Sequence, residues 1–114
     1  MMKIKVHEKH FSSASQAFDE IEIAGRYTTE MEVPSVCNKS HWHRFSTWIY
    51  VLEGELFITD STQDKVLKAG PGSRVDVPER VLHSEESEGY RIIAGMSINP
   101  ASLTDPVDLD PSEL

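Results

Sequence analysis

At 114 residues, 39% hydrophobic and 26% charged, the chain has room for one domain with a true core and not for two. Its 19 acidic against 11 basic side chains give a net charge of −8. That balance argues against nucleic acid, which needs a basic stripe to displace counterions, and against an anionic membrane surface. One cysteine, Cys37, rules out an internal disulfide, no apolar run reaches membrane-spanning length, and MMKIKVHEKH has no apolar signal core. A reducing cytoplasm is the expected compartment.

Residues 1–18 read as a segment that covers the domain, weakly helical over SSASQAF or looped, with His7 and His10 at the surface. Residues 19–98 form the body. Their apolar side chains come in short runs and period-two alternations broken by Gly, Pro, Asn and Asp, the pattern of an all-β sandwich or barrel. Strands are predicted at 21–23, 28–33, 40–43, 47–52, 56–60, 65–68, 73–77, 83–85 and 90–98. WIYVL (48–52) is almost continuously apolar, as a strand buried on both faces should be. Glu53-Gly54 makes a tight turn into the next strand, and 60–65 and 69–72 are further turns. Residues 99–114 hold three prolines and four acidic side chains and are expected to stay poorly ordered unless they dock on a partner.

The chemistry concentrates in HWHRFSTWIYVLEGEL (41–56). In a strand, residues i and i+2 share a face, so His41 and His43 would point the same way, separated by Trp42. A third imidazole, His83, follows a strand and a Pro turn, where an antiparallel fold can return it beside the first pair. Three neutral imidazoles with open positions suit Fe(II), Mn, Ni, Cu or Zn. Alternation sends Thr47, Ile49 and Val51 to the same side as the histidines, with Phe45 at the mouth, as candidate lining for a small-molecule substrate. Trp48, Tyr50 and Leu52 then face the opposite sheet or a second copy. Arg26, Arg44 and Arg91 are candidates to bind a substrate carboxylate. Tyr27, Tyr50 and Tyr90 are candidate proton donors, and Cys37 reads as a small buried residue.

The spacing resembles the cupin superfamily over about residues 27–98. His41-x-His43-x3-Thr47-x6-Gly54 follows its first motif except that Thr47 stands where the family has a glutamate ligand. Gly72-x5-Pro78-x-Arg80-x2-His83-x3-Ser87 follows the second except at its inner Gly, here Arg80, and its final Asn, here Ser87. Ser35 replaces the glycine that opens the first motif. The resemblance implies a double-stranded β-helix, or jelly-roll barrel, with His41, His43 and His83 as metal ligands, Fe(II) foremost, and a homodimer. Three-histidine sites of this kind are similar to those of thiol and diketone dioxygenases, so the implied activity is oxygenation of a small chelating substrate. Isomerase or lyase chemistry is its nearest variant. Glu85, two residues beyond His83 on the same strand face, is a candidate replacement carboxylate, and Tyr50, Glu85 and Tyr90 are the candidate catalytic groups. Cys37 lies on the wrong side of the HxH for a Cys–Tyr crosslink beside the metal. The alternative function is a non-catalytic binding or sensor cupin.

Overall fold

Residue pairing in two antiparallel sheets sets the architecture, as described by a computed structural model for residues 3–103 and 107–114. The elements run β1 (Lys5–His7), α1 (Ala14–Ile23), β2 (Tyr27–Val33), β3 (Val36–Cys37), β4 (Thr47–Gly54), β5 (Leu56–Asp60), β6 (Lys65–Ala69), β7 (Arg74–Val77), β8 (His83–Ser87) and β9 (Tyr90–Met96). One sheet has the order β1-β7-β4-β9-β2 and the other β3-β8-β5-β6. The chain passes repeatedly between the sheets, which is the expected all-β jelly roll. Ile49 and Val51 of β4, Leu56 and Ile58 of β5, Val75 and Val77 of β7 and Ile92 of β9 fill the space between the layers. Each such side chain contributes about 1.5–3 kcal/mol by leaving water.

The β4–β5 turn depends on Gly54. Its φ is +83°, and a Cβ there would overlap the Gly89 carbonyl oxygen and lie 2.9 Å from the Tyr90 Cα. Only glycine fits, which accounts for the motif position.

Two predicted strands are corrected. Residues 21–23 belong to α1, not to a strand: Ser13 caps the helix by accepting the Gln16 N–H, and Ala17 and Ile21, four apart, are its buried pair. The letters IEI alternate, but Ile23 is 87% exposed, so the period that decides is helical. Residues 40–43 form no strand. His41 bridges His83 while Trp42 bridges Leu109, so neighbouring residues pair with different partners and no ladder grows. The strands β1 and β3 were not predicted, being too short to show a period.

The outer face of β4 carries Trp48, Tyr50 and Leu52, and α1 covers it, rather than the opposite sheet or a second copy. Close docking needs Gly95 of β9, where a Cβ would come within 2.8 Å of Ile21 Cγ1. A polar network seals this layer. Glu20 accepts hydrogen bonds from the Tyr50 hydroxyl (2.5 Å), His10 Nε2 (2.8 Å) and Arg74 Nη1 (2.6 Å). Burial pushes the Glu20 carboxyl up, but these donors outweigh it and hold the group at about 2. His7 pairs with Asp76 in the same region.

Both ends join the barrel. Lys5–His7 is an edge strand on β7, and the Ile4 N–H donates to the fully buried Asp60 carboxylate at 3.0 Å. Residues 107–114, expected to be poorly ordered without a partner, instead dock on the chain's own barrel through Leu109, which is buried. Residues 1, 2 and 104–106 lie outside the described part. Cys37, expected to be buried, is exposed on β3, a two-residue edge strand that leaves its side chain uncovered.

Candidate metal centre

His41 and His83 exchange backbone hydrogen bonds, N to O at 2.8 and 2.9 Å, and this bridge sets their rings 4.5 Å apart. His43 lies 5.0 Å from each of them, centroid to centroid. One nitrogen from each ring falls within 4.8 Å of the others. All three rings are buried, at 6%, 8% and 1% exposure for His41, His43 and His83.

Each ring has its tautomer fixed from behind. Nδ1 of His41 donates to the Lys39 carbonyl at 2.7 Å, Nδ1 of His43 to the Val107 carbonyl at 2.7 Å, and Nδ1 of His83 to the Val81 carbonyl at 2.8 Å. A carbonyl oxygen only accepts, so the proton sits on Nδ1 and the Nε2 lone pair is left free in all three. Backbone pinning of the far nitrogen is what orients metal-ligating histidines. Burial lowers the His83 imidazole to about 4, offset in part by the Val81 carbonyl and reinforced by its two neighbours. Burial also lowers His43. Near neutral pH both rings stand ready as neutral donors.

Two carboxylates flank the trio. Glu85 Oε1 lies 3.7 Å from His83 Nε2 and 3.9 Å from His41 Nε2, and its other oxygen accepts from the Tyr90 hydroxyl at 3.2 Å. Asp108 Oδ1 lies 3.7 Å from His41 Nε2 and 3.7 Å from His43 Nδ1. The Glu85 side chain is 16% exposed and that of Asp108 60%. Burial, then the Glu85 charge, pushes the Tyr90 hydroxyl well above the usual tyrosine range, so it remains a donor. Three neutral nitrogens with a carboxylate close to two of them fit a divalent transition ion.

Thr47, at the family's glutamate position, faces the interior between Val77 and Met96, and its Oγ1 has no hydrogen-bond partner among the described residues. An orphan hydroxyl in a buried wall leaves a donor for a ligand in the barrel. Phe45 stacks on His43 at 5.1 Å and 20°. Ile49 and Val51 pack into the main core. Arg80, where the family's motif has glycine, keeps a positive φ of 63°, and its N–H donates to the His43 carbonyl at 2.9 Å. The backbone shape of that turn is thus retained without glycine, at a cost of order 1–2 kcal/mol.

Other sequence candidates lie elsewhere. Tyr50 points away from the trio, beneath α1. Arg26 bonds the Gly95 carbonyl and Ser46 and lies over Trp48. Arg91 pairs with Glu53, Arg44 lies over Trp42, and Tyr27 is 45% exposed on the edge strand β2. Val107 and Asp108 escaped sequence reasoning altogether, since nothing in a proline-rich acidic segment marks a residue that will dock. A cavity of about 490 Å³ lined by Lys39, His41, Asp108 and Leu109 reaches the trio at His41 alone. A larger one, about 800 Å³, lies around Cys37, Gly54 and Gly89 and touches none of the three histidines. The chemistry, not the size, selects the first.

Neither a sequence-family profile nor a curated protein sequence matches the chain. Solved structures do. The polyketide cyclase RemF from Streptomyces resistomycificus is 26% identical with a TM-score of 0.56, over 72% of this chain and 58% of that one. An RmlC-like cupin from Shewanella frigidimarina is 19% identical with a TM-score of 0.52, over 68% and 73% of the two chains. Oxalate decarboxylase from Bacillus subtilis, a protein with Mn(II) centres, is 16% identical with a TM-score of 0.56, over 79% of this chain and 26% of that one. The chain has the cupin jelly-roll fold, with a cluster of three histidines at the positions the motif assigns to metal.

Proposed function

We propose that the protein is a metal-dependent enzyme that moves a proton on a small, oxygen-bearing chelating substrate, such as a 1,3-dicarbonyl compound or its enol. The observation that carries this reading is the Glu85 carboxylate, 3.7 and 3.9 Å from the Nε2 atoms of His83 and His41, with the Tyr90 hydroxyl on its second oxygen. His41, His43 and His83 would hold a divalent ion, Mn(II) or Fe(II), which would supply Lewis acidity toward a chelating carbonyl. The chain's own residues do the rest. Glu85 balances the ion's charge and accepts a proton, Tyr90 holds that carboxylate in place and donates, and Thr47 Oγ1 offers a hydrogen bond to a substrate oxygen inside the barrel. The 26% identity to a protein named as a polyketide cyclase is compatible with a small oxygen-bearing substrate.

Oxygenation by an iron-loaded site is the second reading. It is favoured by the three neutral imidazole donors, which leave an iron ion positive enough to hold an anionic chelate. For compartment and assembly, the exposed Cys37 fits a reducing cytoplasm, and the exposed Tyr27 and Met31 on the open β2 edge fit a homodimer.

Elemental analysis of the purified protein beside a His83→Ala variant tests the centre. The protein is then incubated with acetylacetone in deuterated water and, separately, with Fe(II) and oxygen. Near-stoichiometric metal in the parent alone, with accelerated deuterium exchange at the carbon between the carbonyls, supports the first reading. Oxygen consumption in place of exchange supports the second. Absence of metal after reconstitution overturns both and leaves a ligand-binding barrel.

A further inference from the structure

Residues 107–110 lie against the histidine pair through four contacts. The Val107 carbonyl accepts the His43 Nδ1–H at 2.7 Å. Asp108 Oδ1 stands 3.7 Å from both His41 Nε2 and His43 Nδ1. Leu109 exchanges both backbone hydrogen bonds with Trp42, at 3.0 and 3.3 Å, and its side chain is buried. The Asp110 carbonyl accepts the Trp42 Nε1–H at 2.8 Å.

These contacts alternate in what they grip. Trp42, the spacer between the two ligands, is held by Leu109 and Asp110, and its neighbour His43 is held by Val107. Asp108, between two anchored residues, turns its carboxylate to the ligand rings. A free surface carboxylate is screened by water and contributes little. The Asp108 side chain is 60% exposed, but the residues on either side of it are held, which keeps its carboxylate near the ligand rings. We propose that residues 107–110 are a working part of the metal centre, a strap in which Val107 orients the His43 ring and Asp108 sets a second carboxylate beside His41 Nε2, a nitrogen left free for the ion. The inference rests on the reading of the trio as a metal site.

The strap adds to what the cupin motifs supply. Thr47 leaves the first motif without its carboxylate, and this chain brings acidic groups from two other places, Glu85 on β8 and Asp108 on the strap. The cavity of about 490 Å³ at the strap's edge has both His41 and Asp108 in its lining.

Coupling of this kind is reciprocal: a strap that strengthens metal binding is itself stabilised by the metal, by the same free energy. The test uses the full chain, stripped of metal and titrated with Mn(II) by calorimetry, in four versions: parent, Asp108→Asn, Leu109→Ala and, as a charge control on the same segment, Glu113→Gln. Circular dichroism of the metal-free forms establishes that each is folded. Orienting partners of metal ligands are worth about 10- to 100-fold in affinity. Asp108→Asn is therefore expected to weaken Mn(II) binding about tenfold or more, Leu109→Ala to weaken it comparably, and Glu113→Gln to leave it unchanged. Hydrogen exchange at the Trp42 and Leu109 amides is expected to slow on adding Mn(II) to the parent. Parent-like affinity in Asp108→Asn, with exchange at those amides indifferent to metal, overturns the strap while leaving the centre intact. A parent that binds no Mn(II) overturns the centre and the strap with it.

Discussion

The Tyr90 hydroxyl donates to Glu85 Oε2 at 3.2 Å while Glu85 Oε1 lies 3.7 Å from His83 Nε2, so one carboxylate joins the barrel wall to the ligand cluster. The two residues sit on consecutive strands, β8 and β9, and both are shielded from solvent. Glu85→Gln keeps the shape and removes the charge. It is expected to lower divalent-metal affinity about 10- to 100-fold, with Tyr90→Phe falling between it and the parent. Calorimetric titration reads both, and an unchanged affinity in Glu85→Gln removes the carboxylate from the centre.

Metal removal is expected to destabilise the parent by linkage. At free metal about 100 times the dissociation constant, binding adds about 2.7 kcal/mol, which for a domain of this size is roughly 10 °C in melting temperature. A chelator erases that gain. His83→Ala should melt at one temperature with or without chelator.

Acid sensitivity of the metal-free protein follows from His83, lowered from 6.5 to about 4. Above pH 6.5 the ring is neutral in both folded and unfolded chains and the group is silent. As pH falls from 6.5 to about 4 the unfolded chain takes up the proton and the folded one does not, so stability drops by about 1.4 kcal/mol per pH unit, some 3 kcal/mol in all. Below about 4 this contribution is flat. Glu20, held at about 2 against an ordinary 4.5, loses its stabilisation only as pH falls from 4.5 toward 2. Urea melts of chelated protein at pH 7, 6, 5 and 4.5 therefore read this effect apart from that of Glu20, and a stability constant over that range contradicts a His83 held neutral by burial.

Tyr50 provides the opposite control. Its hydroxyl donates to Glu20 at 2.5 Å beneath α1, away from the ligands. Tyr50→Phe is expected to cost about 1–2 kcal/mol of stability and to leave metal affinity where it was. A changed affinity would show that the helix layer and the centre are coupled.

The sequence made the barrel and the three histidines legible because both rest on local rules. Short apolar runs bounded by turn residues mark β4, β5 and β9, and the spacing from His41 through Gly54 to Pro78 and His83 survives as letters. Where reading failed, distant parts of the chain decided. EIEI looks like a strand until Ile21 is seen on Gly95, some seventy residues downstream, with Ala17 beside it in the same apolar cluster. Residues 40–43 look like a strand until His41 and Trp42 are seen to bridge different partners. Tyr50 is a donor candidate by residue type alone; alternation already turns it from the histidines, and what it does not say is that α1 is the layer lying over it. Thr47 was read as a missing ligand, and that substitution says nothing of where a carboxylate returns. Glu85 came within reach of sequence reasoning because it shares a strand with His83. Asp108 did not, because its position is set by backbone bonds to Trp42.

The groups that face one another at residues 41, 83 and 107 are far apart along the chain, and this has a consequence for timing. Contacts between remote segments wait on the closure of long loops, which slows folding relative to local structure. The His41–His83 bridge and the docking of residues 107–110 are separate closures. Until the second is made, the His43 ring lacks the carbonyl that fixes its tautomer and Trp42 lacks its clasp, so a barrel with its two sheets paired still has an unfinished mouth.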